Sequence, residues 1–305
     1  MSIDKLRRMF KSLETCIAWQ IQFLKINKSS TKDISYVGVE VTLSPYTAIS
    51  SFISEISKKY IEKLNSYDEV IEYDGSSIGN VIYKFDTSNS LISEQYDKFL
   101  QAVAEPDSET SPLDIKANAA VIYGSITIDD EKKPVKLISM STPFTKMKHK
   151  FLHSEGTFKE INDKVITLRK SIDVIIFDGI IYMININGEK LFNIERIYKN
   201  ICRKKLDRIY ECNIVSDFEL FRKVASSGNN PRKFLSFNDE YLKKMENADI
   251  REKIAKKFNI SMKEGLFDVS KEDTTHKLIK ILCNKGMVDP FYGDPMEVAG
   301  SRKWK

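Results

Sequence analysis

Among the 305 residues, the side chains whose types and spacing could do chemistry are first of all cationic. Arg196, Lys199 and Arg203 recur at steps of three and four, so a helix through them projects all three along one narrow arc. Lys204 and Arg208 would flank the other edge of the same helix. Lys146, Lys148 and Lys150 alternate, and a strand would project them from one face. Arg169 and Lys170 extend this stretch, which holds ten Lys or Arg against three acids over residues 132–170. Rows of guanidinium and ammonium groups bind phosphates, and each contact releases a condensed counterion. The ordinary alternatives are a solvated helix face and a sheet edge guarded by lysines against pairing.

Carboxylates come second. A metal-dependent nuclease needs them clustered beside a lysine, as an Asp followed by Glu-x-Lys on adjacent strands. The sequence holds one literal Glu-x-Lys, Glu131-Lys132-Lys133, and it falls in an expected hairpin turn. Asp163, Asp173 and Asp178 lie among predicted strands and could cluster, although Asp178 has a turn role and Asp173 could simply face solvent. His149 and His153 have a ligand-like spacing, but their surroundings read as extended and bring no Cys or carboxylate partner. Cys16, Cys202, Cys212 and Cys283 are scattered in the manner of reduced thiols, with Cys202 and Cys212 as helix-packing residues. GxxxxGK[ST], GxGxxG and HExxH are all absent. No catalytic residue, metal ligand or cofactor is assigned.

The elements that must position these residues are legible in outline. The long helix is predicted over 190–212, with Leu191, Ile194, Ile197, Tyr198, Ile201, Cys202 and Ile209 on one face. Upstream, residues 119–187 read as an antiparallel sheet core, with strands at 120–128, 134–140, 144–152, 158–169, 172–177 and 180–186. Asp178-Gly179 sits where a two-residue hairpin turn needs positive φ. The first hundred residues are mixed. Helices are expected over 4–14, 46–65 and 90–104, and strands over 16–26, 34–43 and 81–85. A polar stretch, EPDSETSPLD, follows. Beyond 212, helices are predicted at 217–226, 238–257 and 274–284, with an edge strand in the tail that ends Arg302-Lys303-Trp304-Lys305. The class is therefore α+β: a central antiparallel sheet with packed helices, a mixed N-terminal part and a helical C-terminal part. The division expected is 1–110 and 111–305.

Composition bounds the rest. An apolar share of 42% and a charged share of 30% are those of a folded chain. The net charge of +5 conceals an asymmetry: −7 over residues 1–131 and +12 over 132–305. A polyanion would be drawn to one part and repelled by the other. The richest apolar stretch, 172–186, is broken by Asp173 and Asp178, so no membrane helix is read. The charged first fourteen residues lack a signal core, and a cytoplasmic location is expected.

Four segments add a resemblance. KVITLRK (164–170), IDVIIFDGIIYMIN (172–185), FNIERIY (192–198) and VAGSRK (298–303) resemble the KwaB family, the soluble component of the Kiwa anti-phage defence system. The likeness covers residues 100–303, more loosely before that, and its motifs are structural. It implies a DNA-binding effector that acts on phage DNA with a membrane-spanning partner, KwaA, at the inner face of the cell membrane. It brings no catalytic residue. The DNA-contacting candidates remain those of the charge argument: Lys146, Lys148, Lys150, Arg169, Lys170, Arg196, Lys199, Arg203, Lys204 and Arg208. Binding through phosphates without base readout is the leading expectation, and a homo-oligomer, a dimer, is expected with it. Two alternatives stay open: a divalent-metal nuclease using some of Asp163, Asp173 and Asp178, and a docking module whose basic face binds acidic segments of a membrane protein.

Overall fold

Apolar residues on both faces of its strands bury most of the first sheet from two sides. In the computed structural model, which describes residues 3–27, 34–41, 47–73, 75, 80–107, 110, 114–141, 151–154, 157–160, 168–288 and 295–297, the chain divides into two units. The first comprises Met1–Glu72 and Asn80–Asn193, the second Tyr73–Gly79 and Ile194–Lys305.

The first unit runs α1 (Ile3–Lys11), β1 (Gln20–Asn27), β2 (Ser35–Val41), α2 (Thr47–Lys63), β3 (Glu69–Glu72), β4 (Val81–Asp86), α3 (Ser93–Ala104), β5 (Ala119–Ile128) and β6 (Glu131–Ser139). It continues with β7 (Phe151–Ser154), β8 (Thr157–Glu160), β9 (Val174–Phe177) and β10 (Ile180–Met183). Eight strands form one sheet in the order β2-β1-β5-β6-β9-β10-β4-β3. Every pair in it is antiparallel except β3 with β4.

Helices α1 and α2 cover one face of this sheet, where Phe10, Ile53 and Tyr60 share a core with Phe23, Ile122, Leu137 and Phe177. Burying each such side chain contributes about 1.5–3 kcal/mol. Tyr60 also ties α2 to the loop before β9: its ring stacks on Phe10 at 5.2 Å, and its hydroxyl donates to Ile172 O at 3.0 Å. Helix α3 packs on β2, with Phe99 edge-on to Tyr36 at 6.0 Å. The Gln22 amide of β1 donates to Val103 O at 2.8 Å.

The second unit is helical around its own core: α4 (Ile194–Cys212), α5 (Phe218–Ala225), α6 (Asn230–Lys233), α7 (Asp239–Lys244), α8 (Ala248–Phe258) and α9 (Glu272–Leu282). Short hairpins β11 (Met262–Lys263) with β12 (Leu266–Phe267), and β13 (Gly286–Val288) with β14 (Pro295–Glu297), complete the described part. Gly75 also belongs here. Its φ is +79°, and a Cβ on it would lie 2.3 Å from Arg232 O, so a side chain is excluded twice over.

The α+β reading and the antiparallel core agree with this architecture, and Asp178-Gly179 forms the expected turn with φ of +54° and +71°. Five local readings need correction. The hairpin turn before β6 is only Asp129-Asp130, both left-handed, so Glu131-Lys132-Lys133 begins a strand rather than a turn. The strands expected at 144–152 and 158–169 are, where described, β7 and β8. They pair with each other and not with the large sheet. The long helix starts at 194, because Asn185 caps a separate 3-10 turn at Ile186–Lys190 and Asn193 takes φ +51°. The helix expected over 238–257 is two helices. Asn247 accepts from Asp249 N and Ile250 N and so starts α8 afresh. Finally, β3 is a strand where the sequence pattern predicts none.

Candidate nucleic-acid interface

Helix α4 is fixed by one stripe. Ile194, Tyr198, Cys202, Leu206 and Ile209 are buried, and Cys202, Leu206 and Ile209 belong to the core of the second unit. Glu195 sits in the first turn, where a carboxylate suits the helix N-terminus. The helix stops at Asn213, whose φ of +44° leaves helical space. Ile197 and Ile201, expected in the stripe, are only half-buried, and Leu191 precedes the helix. Leu206 takes their place.

The opposite side is solvent-facing and basic. Lys199, Arg203, Lys204 and Arg208 are exposed, and Arg196 is half-buried. Their engagements differ. Lys199 donates to Glu195 at 2.8 Å, and that hydrogen bond holds its ammonium above the usual lysine value. Asp239, the first residue of α7, pairs with both Lys205 (2.8 Å) and Arg208. Arg203 and Lys204 have no hydrogen-bond or ion-pair partner among the described residues. They are the cations most available to an incoming phosphate. Such pairs as Lys199–Glu195 are worth only about 0.3–0.5 kcal/mol, so they yield readily to a phosphate.

The other candidates fall elsewhere. Arg169 and Lys170 are exposed in the first unit, and Lys170 pairs with Glu55. Lys146, Lys148 and Lys150 lie outside the described residues, as do Asp163 and His149 and the tail from 298. The structure therefore gathers Arg196, Lys199, Arg203, Lys204 and Arg208 on one helix and leaves Arg169 and Lys170 in a different unit. Two surface residues of this helix leave no mark in the sequence reading of the site. Lys205 was overlooked because it borders the apolar stripe. Tyr210, 65% exposed, lies seven residues after Arg203, a spacing that could have revealed it.

Asp173 and Asp178 lie at opposite ends of β9 rather than together. Among the described residues no group of three His, Cys, Asp or Glu side chains could hold a metal ion. Asp173 does not face solvent. It is 4% exposed, accepts from Met140 N at 2.6 Å, and burial raises its carboxyl above the ordinary value. Asp178 sits at the far end of β9, paired with Lys5. Burial pushes the Cys202 thiol up to about 12 and the Cys212 thiol up to about 11, which disfavours the thiolate form of these two. On the first unit an open groove of about 440 Å³ is lined in part by Gln20, Tyr123, Lys132 and Lys136. Burial lowers the Lys136 ammonium below the usual lysine value.

No described helix is long and apolar enough to cross a membrane. A family model described as Kiwa protein KwaB-like matches residues 119–288, which contain β5 to β10 and all of α4 to α9. No curated protein and no solved structure matches the chain.

Proposed function

The chain belongs to the KwaB-like family of Kiwa proteins, and on that premise we propose that it is an anti-phage defence component that binds DNA through phosphate contacts on α4. The single observation that carries this reading is the pair Arg203 and Lys204, exposed and without partners among the described residues, on a helix whose other face is locked into a core. Charge supports it. The second unit holds 24 Lys+Arg against 18 Asp+Glu, whereas the first is close to balance at 24 against 25. A polyanion is thus drawn to the unit that carries α4. Lys199 and Arg208 add contacts once their pairs with Glu195 and Asp239 exchange for phosphate, and Arg196 lies on the same arc. Arg169, Lys170, Lys146, Lys148 and Lys150 belong to a second, auxiliary contact. Sequence specificity is not part of the proposal, since phosphate contacts position a protein without reading bases.

We place the binding in a complex with the membrane-spanning partner KwaA at the inner face of the membrane, with the chain itself as a dimer. No catalytic step is assigned: among the described residues no group of three His, Cys, Asp or Glu side chains could hold the metal a nuclease would need. The test is a titration of affinity for DNA against salt. Binding at low salt that falls linearly on logarithmic axes supports the reading. No affinity at low salt, or affinity indifferent to salt, overturns it.

A further inference from the structure

Tyr210 is a large aromatic side chain left 65% exposed on the same helix as the basic arc. It follows Arg203 by seven residues, and Arg203 follows Arg196 by seven. Each step of seven brings a helix back to within about 20° and advances it about 10.5 Å. The three side chains therefore form one stripe along α4. The ring is not loose: it lies 4.9 Å from the Phe218 ring at 57°, and Phe218 packs against the core of the second unit. A braced ring loses little freedom when a second flat group lands on it.

The charges at this end of α4 separate base from phosphate. Glu211, exposed, follows Tyr210 directly, and Asp207, also exposed, lies one helical turn from Tyr210 and from Arg203 alike. The C-terminal end of a helix is also its negative pole. A phosphate suits Arg203 and is repelled at Tyr210, whereas an uncharged base is not. A base within a duplex has both faces covered by its neighbours, and only an unpaired one can offer a face to a tyrosine.

We propose that Tyr210 is a stacking platform for an unpaired nucleobase whose neighbouring phosphates lie on Arg203 and Lys204, so that this helix takes single-stranded DNA in preference to duplex. The inference rests on the DNA-binding reading above and specifies its substrate. The test uses the full chain and three labelled probes: a thymidine oligonucleotide, an abasic strand of the same length and a duplex of the same length. Tyr210→Leu keeps an apolar contact with Phe218 but removes the aromatic face, and Tyr210→Phe keeps the face. The expected result is a loss of about 5- to 150-fold for Tyr210→Leu on the thymidine strand. The same variant should be unchanged on the abasic strand and the duplex, and Tyr210→Phe should bind like the native chain. Unaltered binding of Tyr210→Leu to the thymidine strand overturns the proposal, as does equal weakening on all three probes. If the native chain binds none of the three, the DNA reading itself fails; if it binds all three alike, only the stacking platform does.

Discussion

Asp173 illustrates how a single side chain changes meaning once its surroundings are known. Its type and position made it a metal-ligand candidate, yet its carboxylate is spent on one backbone donor, Met140 N at 2.6 Å, beneath the sheet end. Its own backbone is equally committed, donating to Ile138 O and accepting from Ile184 N and Asn185 N. Removing the carboxylate orphans a part-buried N–H, so Asp173→Ala should cost about 1 kcal/mol or more in urea unfolding. Asp173→Asn keeps an acceptor oxygen and should cost less. The pH dependence separates the two roles. Burial raises the folded carboxyl above its ordinary 3.8, so the folded state holds the proton more tightly. The contribution is full below 3.8 and is lost as pH rises through the folded value. The Asn variant should show a flatter stability curve there. None of this was legible beforehand, because depth of burial depends on which strands flank a residue, and β6, β9 and β10 meet only in the fold.

Helix α4 was the element most legible in the sequence, since five buried side chains at helical spacing leave a periodic trace. Its start was misplaced by four residues because the apolar signal continues through Leu191, whereas the 3-10 turn and the left-handed Asn193 are set by local hydrogen bonding and backbone conformation. Leu206 was missed and is 3% exposed. Leu206→Ala should destabilise the chain by about 2–5 kcal/mol on thermal or denaturant unfolding, an expectation drawn from core truncations generally. At the surface, Asp239 holds Lys205 and Arg208 away from other anions. Asp239→Ala should therefore tighten DNA binding and steepen the logarithmic salt slope by up to about 1, as Lys205 joins the phosphate contacts and Arg208 no longer has a pair to exchange. A flat response would mean that neither cation faces the DNA. The parallel pair β3 and β4 and the split of α7 from α8 left no comparable trace, since one depends on distant partners and the other on a single Asn cap.

At the scale of the whole chain, charge was informative in sign and misleading in place. Cutting the sequence at residue 131 gives −7 and +12, whereas the two units carry −1 and +6. The basic stretch 132–170 belongs to the first unit and offsets its acids, and what remains positive is the helical unit built around α4. Family membership covers residues 119–288 and so includes that helix together with part of the sheet. The central claim is that exposed cations on α4 hold DNA by its phosphates. The most direct test is a salt titration of duplex and single-stranded DNA binding for the native chain beside the double variant Arg203→Glu/Lys204→Glu, with unfolding followed in parallel. These side chains have no partners in the described fold, so the variant should unfold like the native chain. Its salt slope should fall by about 2 and its affinity should drop on every DNA sequence alike. A variant that is equally stable and binds DNA with unchanged affinity and slope would contradict the account.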